Sequence, residues 1–571
     1  MKLHAGSELL AVPWRNYVPW LPRAIAILAV VTATLLTTRT YSVFNQTTDE
    51  PIHIVSGLQW LEKGTYDFEP LHPPLARIFA GFGLFAAGVR TQGSSVAVDD
   101  GNTVLDTQGP YQRNLTLARL GMLPFFWLAC FLLWSFLKKN FSDWHAAIAV
   151  LILCFCPPVL AHSAAATTDL PLLAMFLFAI LRMFILLQKP GIANAIIAGV
   201  AIGLAVATKF SAIPFLFTSA ALLIIFDEYF RNTKTPKLIH LLHTLACALL
   251  TIWALYRFSV GPILAPHAFR PDQVAALQRL PGSVLAILYF KWMPAPELFR
   301  GLLSVYAMNL HGRIAYLLGD TYVGGRWAFF PVAILVKTPI ALLILSALGV
   351  IYAFGKERLR ANKNILVPAA GIAGPLLVAI PSNLNIGLRH ILLIYPFVAT
   401  FAAIAVVELW NLHVPRNVHS LQKPDTDEKL HNDGIRATAR RFLVILLLGW
   451  NITSCIRATP DFLPYFNEVA APYASKILVD SDLDWGQDLF RLIAVAQQDH
   501  ISDLSLAYEG SIDLRKHLPA GWVELPPRTK VSGWVAVSEY RLLLAGSDYA
   551  WLNQYQPVKE VGHSIRLYYI P

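Results

Sequence analysis

The chain has 571 residues, of which 56% are hydrophobic and 14% charged, and its mean hydropathy is +0.51. A soluble domain carries about 25% charged residues, so this composition excludes a water-soluble globular protein and makes lipid the main solvent. The net charge of +10 comes from lysines and arginines scattered over short connections between apolar runs, which is a topology signal and not a nucleic-acid surface.

The first apolar run begins near residue 24. It lacks a small-residue cleavage site and further runs follow, so it reads as a retained first helix. Other runs begin near 117, 145, 170, 192, 213, 240, 327, 365, 390 and 441, each bounded by Pro, Gly or charge clusters, which predicts eleven spans. Between the first two lies a long polar connection, 40–116, in which 75–88 is apolar but half the spanning length; it predicts a helix lying in the interface, as does 283–293. After a polar loop at 411–440, the last span leads to a tail where polar residues return. Strand-like runs at 530–537 and 563–570 and a helical stretch at 488–498 predict a small α/β unit there. The expected organisation is a transmembrane domain over 1–455, with a functional loop at 40–116, and a C-terminal domain over 456–571.

Alternate short connections carry Lys138 and Lys139, Lys189, then Arg231, Lys234 and Lys237, then Lys356, Arg358, Arg360 and Lys363, then Arg416 and Lys423. The positive-inside rule makes these cytoplasmic, together with the N-terminus bearing Lys2, Arg15 and Arg23, and parity then puts the tail outside. The loops 40–116, 162–169, 257–326 and 382–390 fall on the outer side, and the unusual polar residues gather in them. Cys130, Cys154, Cys156, Cys247 and Cys455 lie in or at the ends of apolar runs and suggest neither disulfides nor zinc.

Two adjacent carboxylates, Asp49 and Glu50, follow the first span. Carboxylates at a membrane surface are costly to desolvate and should face water, a cation or a substrate. One of them could serve as a general base. Asp49 reads equally as a cap for the helix that Pro51 would open. His72, before Pro73 and Pro74, could bind a phosphate or an acceptor, or be structural. Lys337, inside an apolar run, is a functional candidate or a lysine neutralised by a backbone carbonyl that Pro339 frees.

Together these residues resemble a family. Asp49-Glu50, Gly57, Lys63-Gly64 and His72-Pro73-Pro74-Leu75-Ala76-Arg77 resemble the first lumenal loop of protein O-mannosyltransferases, and the layout is similar to that of bacterial aminoarabinose transferases and phospholipid-carrier-dependent glycosyltransferases of glycosyltransferase family 39. Ala118-Arg119-Leu120, Thr168-Asp169-Leu170-Pro171, Thr208-Lys209-Phe210 and Asn385-Ile386-Gly387-Leu388-Arg389-His390 continue the resemblance in order. The tail motif Asp480-Ser481-Asp482-Leu483-Asp484-Trp485-Gly486-Gln487-Asp488 resembles bacterial members. One departure is Leu71-His72, where aminoarabinose transferases carry an acidic-basic pair before the two prolines.

The resemblance implies an all-α GT-C membrane fold of about 11 to 13 transmembrane helices, with outer juxtamembrane helices and a small α/β domain. It implies an enzyme that takes a sugar from a polyprenyl-phosphate donor and passes it, with inversion, to a lipid, glycan or protein acceptor. Asp49 would be the base, with Glu50 orienting hydroxyls and Asp169 supporting from the second outer loop. Lys209 and Arg389 would hold the donor phosphate, with His72, Arg119 and His390 as further substrate contacts. No cofactor is required, and a divalent metal is possible but not indicated; the expected partners are the lipid-linked donor, the acceptor and membrane lipid, with no nucleic acid. The tail motif favours a bacterial inner membrane with a periplasmic site, although Asn45-Gln46-Thr47 and Asn114-Leu115-Thr116 would be sequons in an endoplasmic-reticulum setting. A transporter or flippase of a lipid-linked or small anionic substrate is the competing reading, but transporters more often place charge at the midplane of broken, matched helices.

Overall fold

The structure, a computed structural model, describes residues 19–229, 236–264, 282–410, 427–544 and 546–571. Of the expected topology signals, Lys2, Arg15, Arg231, Lys234, Arg416 and Lys423 lie outside these residues. Apolar helices occur at all eleven expected positions. Six are long and apolar enough to span alone: Leu21–Thr40, Tyr111–Asn140, Asp169–Gln188, Leu238–Leu255, Leu388–Trp410 and Ile435–Arg457. Two more are bent pairs, Asp143–Cys154 with Pro157–Ser163 (66°) and Phe329–Lys337 with Ile340–Gly355 (113°). Proline explains both breaks: it opens the second helix of one pair, and Pro339 stands between the helices of the other, after Thr338 held extended. The remaining three positions hold shorter apolar helices, Ile192–Val206, Ala212–Phe226 and Lys363–Ala379.

The connection 40–116 folds into helices α1 (Glu50–Lys63), α2 (Pro74–Ala86) and α3 (Ala97–Thr107) and enters the second span through Tyr111–Leu120. The helix expected at 75–88 is α2. The second one, at 283–293, is a helix at Gly282–Phe290, after which β2 (Trp292–Pro294) pairs antiparallel with β1 (Val260–Pro262). The chain turns there because the sheet partner satisfies backbone groups that a longer helix would otherwise satisfy itself. A second hairpin, β3 (Ile314–Leu317) with β4 (Asp320–Val323), follows.

The tail divides differently from the expected boundary at 455. Residues before Leu489 still belong to the membrane core: Phe462, Phe466, Leu478 and Leu483 pack into the main helical cluster. From Leu489 a separate unit begins, a five-stranded mixed sheet of order β6-β5-β7-β9-β8 formed by β5 (Leu504–Ala507), β6 (Trp522–Glu524), β7 (Gly533–Ser538), β8 (Lys559–Val561) and β9 (Ile565–Ile570). Period-two alternation along β7 sends Ala536 to one core, with Leu489 and Leu492, and Val535 and Val537 to another, with Tyr568 and Leu552.

Lys337 ties a span to the start of the tail. Its Nζ donates to the carbonyls of Leu463 (2.8 Å) and Asp482 (2.5 Å). The carbonyl that Pro339 frees, that of Leu335, goes instead to the Asn467 side chain at 2.6 Å. The lysine therefore fastens a span to the tail. Lys356 and Arg358 likewise neutralise the buried Glu408 at the far end of the Leu388–Trp410 span.

The close approach of α1 and α2 sets the geometry of the loop. A Cβ on Gly57 would lie 1.8 Å from the carbonyl oxygen of Arg77, backbone that cannot swing aside. Gly57→Ala is expected to lower the thermal midpoint strongly, by the roughly 1–3 kcal/mol typical of overpacking or more. Gly355→Ala, where a Cβ meets nothing within 4 Å, is expected to leave the midpoint unchanged; scanning fluorimetry of the two variants checks the pair.

Candidate functional site

Asp49 occupies the N-cap position of α1, yet its side chain caps nothing there. It accepts from Arg389 Nη1 at 2.6 Å. Arg389 is delivered by the short 3-10 turn Leu388–Ile394 after Gly387, whose φ of 140° lies outside the range comfortable for L side chains. Arg389 also lies 3.8 Å from Asp169 Oδ2, while Asp169 Oδ1 accepts from Lys209 Nζ at 2.6 Å. Lys209 sits in the break between Ile192–Val206 and Ala212–Tyr229, and that break is pinned to the start of α2 by Leu75 N donating to the Ala207 carbonyl. Four residues far apart in sequence thus form one alternating chain, Asp49, Arg389, Asp169 and Lys209.

This chain borders a cavity of about 610 Å³. Asp49, His72, Lys209, Arg389 and His390 line it, along with apolar Phe210, Val305, Met308, Leu384 and Ile386. Asp49 is the open member of the ion chain, with its side chain 31% exposed against 10% for Arg389 and 1% for Asp169. Three buried polar atoms on the cavity residues, Arg389 Nε, Ser211 Oγ and Ser304 Oγ, have no hydrogen-bond partner among the described residues. Buried polar atoms are nearly always paired, so these three are exceptions to the rule.

Glu50 and Arg119 are placed elsewhere, and their expected substrate-facing roles do not fit their positions. Glu50 is wholly buried and accepts from Arg119 Nε (2.8 Å) and Nη2 (2.9 Å) and from the backbone N–H of Thr47 (2.7 Å) and Ala166 (2.9 Å). Arg119 completes its set on the carbonyls of Phe44 and Asn45. Neither lines the cavity; they bind the loop to the bundle behind Asp49. Both sequon asparagines are also buried, Asn45 donating to the Gly486 carbonyl and Asn114 to that of Leu105.

A second group backs His72. Glu69 forms a short ion pair with Arg77, whose Nε donates to His53 Nδ1 at 3.0 Å and whose Nη1 donates to Tyr66 Oη at 2.9 Å. Accepting at Nδ1 leaves the His53 proton on Nε2. Burial, reinforced by the charge of Arg77, drives His53 well below the usual imidazole range, and burial also lowers His72. Burial alone would raise Asp49, but Arg389, with His53 and His72, outweighs it and holds the carboxyl below its ordinary value. Sequence reasoning assigned no role to His53, although it lies four residues after Asp49 and so on the same helical face. Glu69 had a similar signal, three residues before His72. Trp485 was marked only as part of the tail motif, and Ser211 and Ser304 had no signal. Among the described residues, no three His, Cys, Asp or Glu side chains are grouped to hold a metal ion.

Residues 113–256 match the family described as dolichyl-phosphate-mannose-protein mannosyltransferase. The structure of the S. cerevisiae protein O-mannosyltransferase Pmt1-Pmt2 complex bound to the sugar donor aligns with a TM-score of 0.50 at 12% identity, over 77% of this chain and 90% of that one. The fold is similar to that of this protein O-mannosyltransferase, and the family resemblance is carried by residues 113–256. The chain is an integral, multi-pass membrane protein. Two further solved structures are similar. ArnT from Cupriavidus metallidurans bound to undecaprenyl phosphate aligns at TM-score 0.47 and 11% identity, over 96% of this chain and 98% of that one. The Archaeoglobus fulgidus oligosaccharyltransferase in the apo form aligns at 0.42 and 15%, over 76% and 56%. This chain therefore spans little more than half of that archaeal protein. Comparison with curated protein sequences gives no match.

The tail motif packs against the site. Burial raises Asp480 to about 6 against the pull of Arg389, Asp488 to about 7 and Asp484 to about 8. A carboxyl raised in the folded state stabilises the fold fully below its unfolded pKa and loses that contribution as pH rises through the folded value. The depressed histidines act oppositely, but only below their unfolded value of 6.5. The thermal midpoint is therefore expected to fall between pH 6.5 and 8 as Asp488 and Asp484 ionise, with each contributing up to about 1.4 kcal/mol per pH unit. A midpoint that is flat or rising over that interval contradicts this assignment. Arg119→Leu, which strands the Glu50 carboxylate in the interior, is expected to destabilise by about 3–5 kcal/mol, readable as a collapse of the midpoint at pH 7.

Proposed function

We propose that this protein transfers a sugar from a polyprenyl-phosphate-linked donor to a lipid, glycan or protein acceptor, with inversion at the anomeric carbon. The observation that carries this reading is the composition of one cavity. Lys209, Arg389 and the unpartnered Arg389 Nε, Ser211 Oγ and Ser304 Oγ suit a phosphate and its sugar. Phe210, Val305, Met308, Leu384 and Ile386 suit the hydrocarbon that follows them. A charged head beside an apolar wall fits an amphiphile.

The donor carries its own leaving group, so the protein has to hold the phosphate, align the anomeric carbon and remove a proton from the acceptor. Asp49 is the base: it is the most exposed carboxylate of the ion chain, and its low pKa keeps it ionised. Lys209 and Arg389 stabilise the negative charge that grows on the departing phosphate. A phosphate that draws Arg389 away also frees Asp49 to take the acceptor proton. Asp169 positions both cations from behind, while His72 and His390 contact substrate at the cavity wall. The acceptor oxygen bonds to the anomeric carbon as the bond from that carbon to the phosphate oxygen breaks. No cofactor enters this scheme.

We further assign the site to the extracytoplasmic side of a bacterial inner membrane, with a cytoplasmic N-terminus and a periplasmic C-terminal domain. In support, Lys138, Lys139, Lys189, Lys237, Lys356, Arg358, Arg360 and Lys363 follow or precede spans at the ends opposite those that deliver Asp49, Lys209 and Arg389.

The test is transfer of radiolabelled sugar from a panel of polyprenyl-phosphate sugars to membrane acceptors by the purified protein. Asp49→Asn is expected to lose about 10²–10⁴ in turnover while still binding donor, and Lys209→Ala to raise the donor KM. Wild-type turnover in Asp49→Asn overturns its role as base. No transfer from any donor, with labelled lipid nonetheless moved across vesicles, overturns the enzyme reading itself.

A further inference from the structure

The tail motif touches both halves of the Asp49–Arg389 pair, which are 340 residues apart in the chain. On the Arg389 side, Ser481 Oγ donates to the Ile386 carbonyl at 2.5 Å, and Leu388 N donates to Asp482 Oδ1 at 3.1 Å. A Cβ on Gly387 would meet Ser481 Oγ at 2.2 Å, so the turn and the motif are in tight contact. The indole of Trp485 then lies against the Arg389 guanidinium, with Cζ 4.2 Å from the ring centroid. On the Asp49 side, the Trp485 carbonyl accepts from Thr48 N (3.0 Å) and Thr48 Oγ1 (3.2 Å). Trp485 is 3% exposed, and its own N–H donates to Gln487 Oε1, which fixes the peptide that carries the carbonyl's neighbour.

Resting on the function proposed above, we infer that Trp485 is a positioning residue for donor binding: its ring holds the Arg389 guanidinium face-on, and its carbonyl holds the backbone that presents Asp49. A guanidinium is planar and weakly hydrated, so an aromatic face fixes its plane without occupying its N–H donors. Those donors stay available to Asp49 and to an incoming phosphate. Trp485 thus touches the turn bearing Arg389 through its ring and the loop bearing Asp49 through its carbonyl. Trp485 touches neither phosphate nor sugar and acts through Arg389.

The full-length protein in nanodiscs, probed with undecaprenyl phosphate alone, tests this. Trp485→Leu is expected to weaken binding about fivefold to tenfold, the scale of a partly buried cation–π contact, with Trp485→Phe recovering most of it. In an Arg389→Ala background the Trp485 substitutions are expected to add nothing further. If Trp485→Leu does not fold, Trp485→Met, closer in volume and likewise without an aromatic face, carries the same comparison in both backgrounds. Unchanged binding, or a loss that persists in full without Arg389, overturns the inference. A second arm needs no polyprenyl phosphate: in Trp485→Leu, hydrogen exchange over residues 45–50 is expected to accelerate by more than that of the sheet strands 504–507 and 533–538, and unaltered exchange over 45–50 overturns the clamp. Should wild-type protein bind no undecaprenyl phosphate, the donor reading fails, and the exchange arm still decides whether Trp485 supports Asp49.

Discussion

Charge neutralisation away from water governs this structure. The Asp49, Arg389, Asp169 and Lys209 chain sits where helices end against a loop, and each of its ions would be prohibitively costly there alone. Alternating signs make the set tolerable and also make it responsive, because a new anion can substitute for a carboxylate on either cation. Helix breaks follow from this requirement. The Lys209 break, the turn after Gly387 and the N-terminus of the Asp169 helix all deliver one charged side chain to the same place.

Around that chain the protein separates rigid ion pairs from exchangeable ones. Glu50 with Arg119 and Glu69 with Arg77 are buried pairs reinforced by additional hydrogen bonds, the second of them in the wall of the same cavity. They hold the loop 40–116 in shape. Asp49 with Arg389 is less enclosed, and it borders polar atoms that lack partners. The adjacent acids of the Asp49-Glu50 pair thus divide into one that faces the cavity and one that anchors the backbone behind it. A helix places consecutive side chains about 100° apart, so a single step of the chain suffices for the division.

The tail is part of the same device. Its first thirty or so residues extend the membrane core, as the packing of Phe462, Phe466 and Leu483 demonstrates, and only from Leu489 does it have cores of its own. Lys337 and Trp485 are among its fasteners, one binding tail carbonyls from inside a span and the other covering Arg389 from the tail.

The sequence by itself determined the membrane class, the positions of eleven apolar helices, the short helix after Pro73-Pro74 and the α/β character of the tail. Apolar run length and periodicity are local properties, and lipid offers backbone no partner but itself. The motifs also named Asp49, His72, Asp169, Lys209, Arg389 and His390, which the tertiary structure gathers around or directly behind one cavity. Only the tertiary structure separated Glu50 and Arg119 from that group, because adjacency in sequence cannot say which of two carboxylates meets a buried arginine. It also supplied Ser211 and Ser304, whose local surroundings carry no signal of chemistry, it set the Trp485 of the tail motif against Arg389, and it sent the carbonyl freed by Pro339 to Asn467 and not to Lys337. Those outcomes depend on contacts between segments hundreds of residues apart, which packing decides and composition does not.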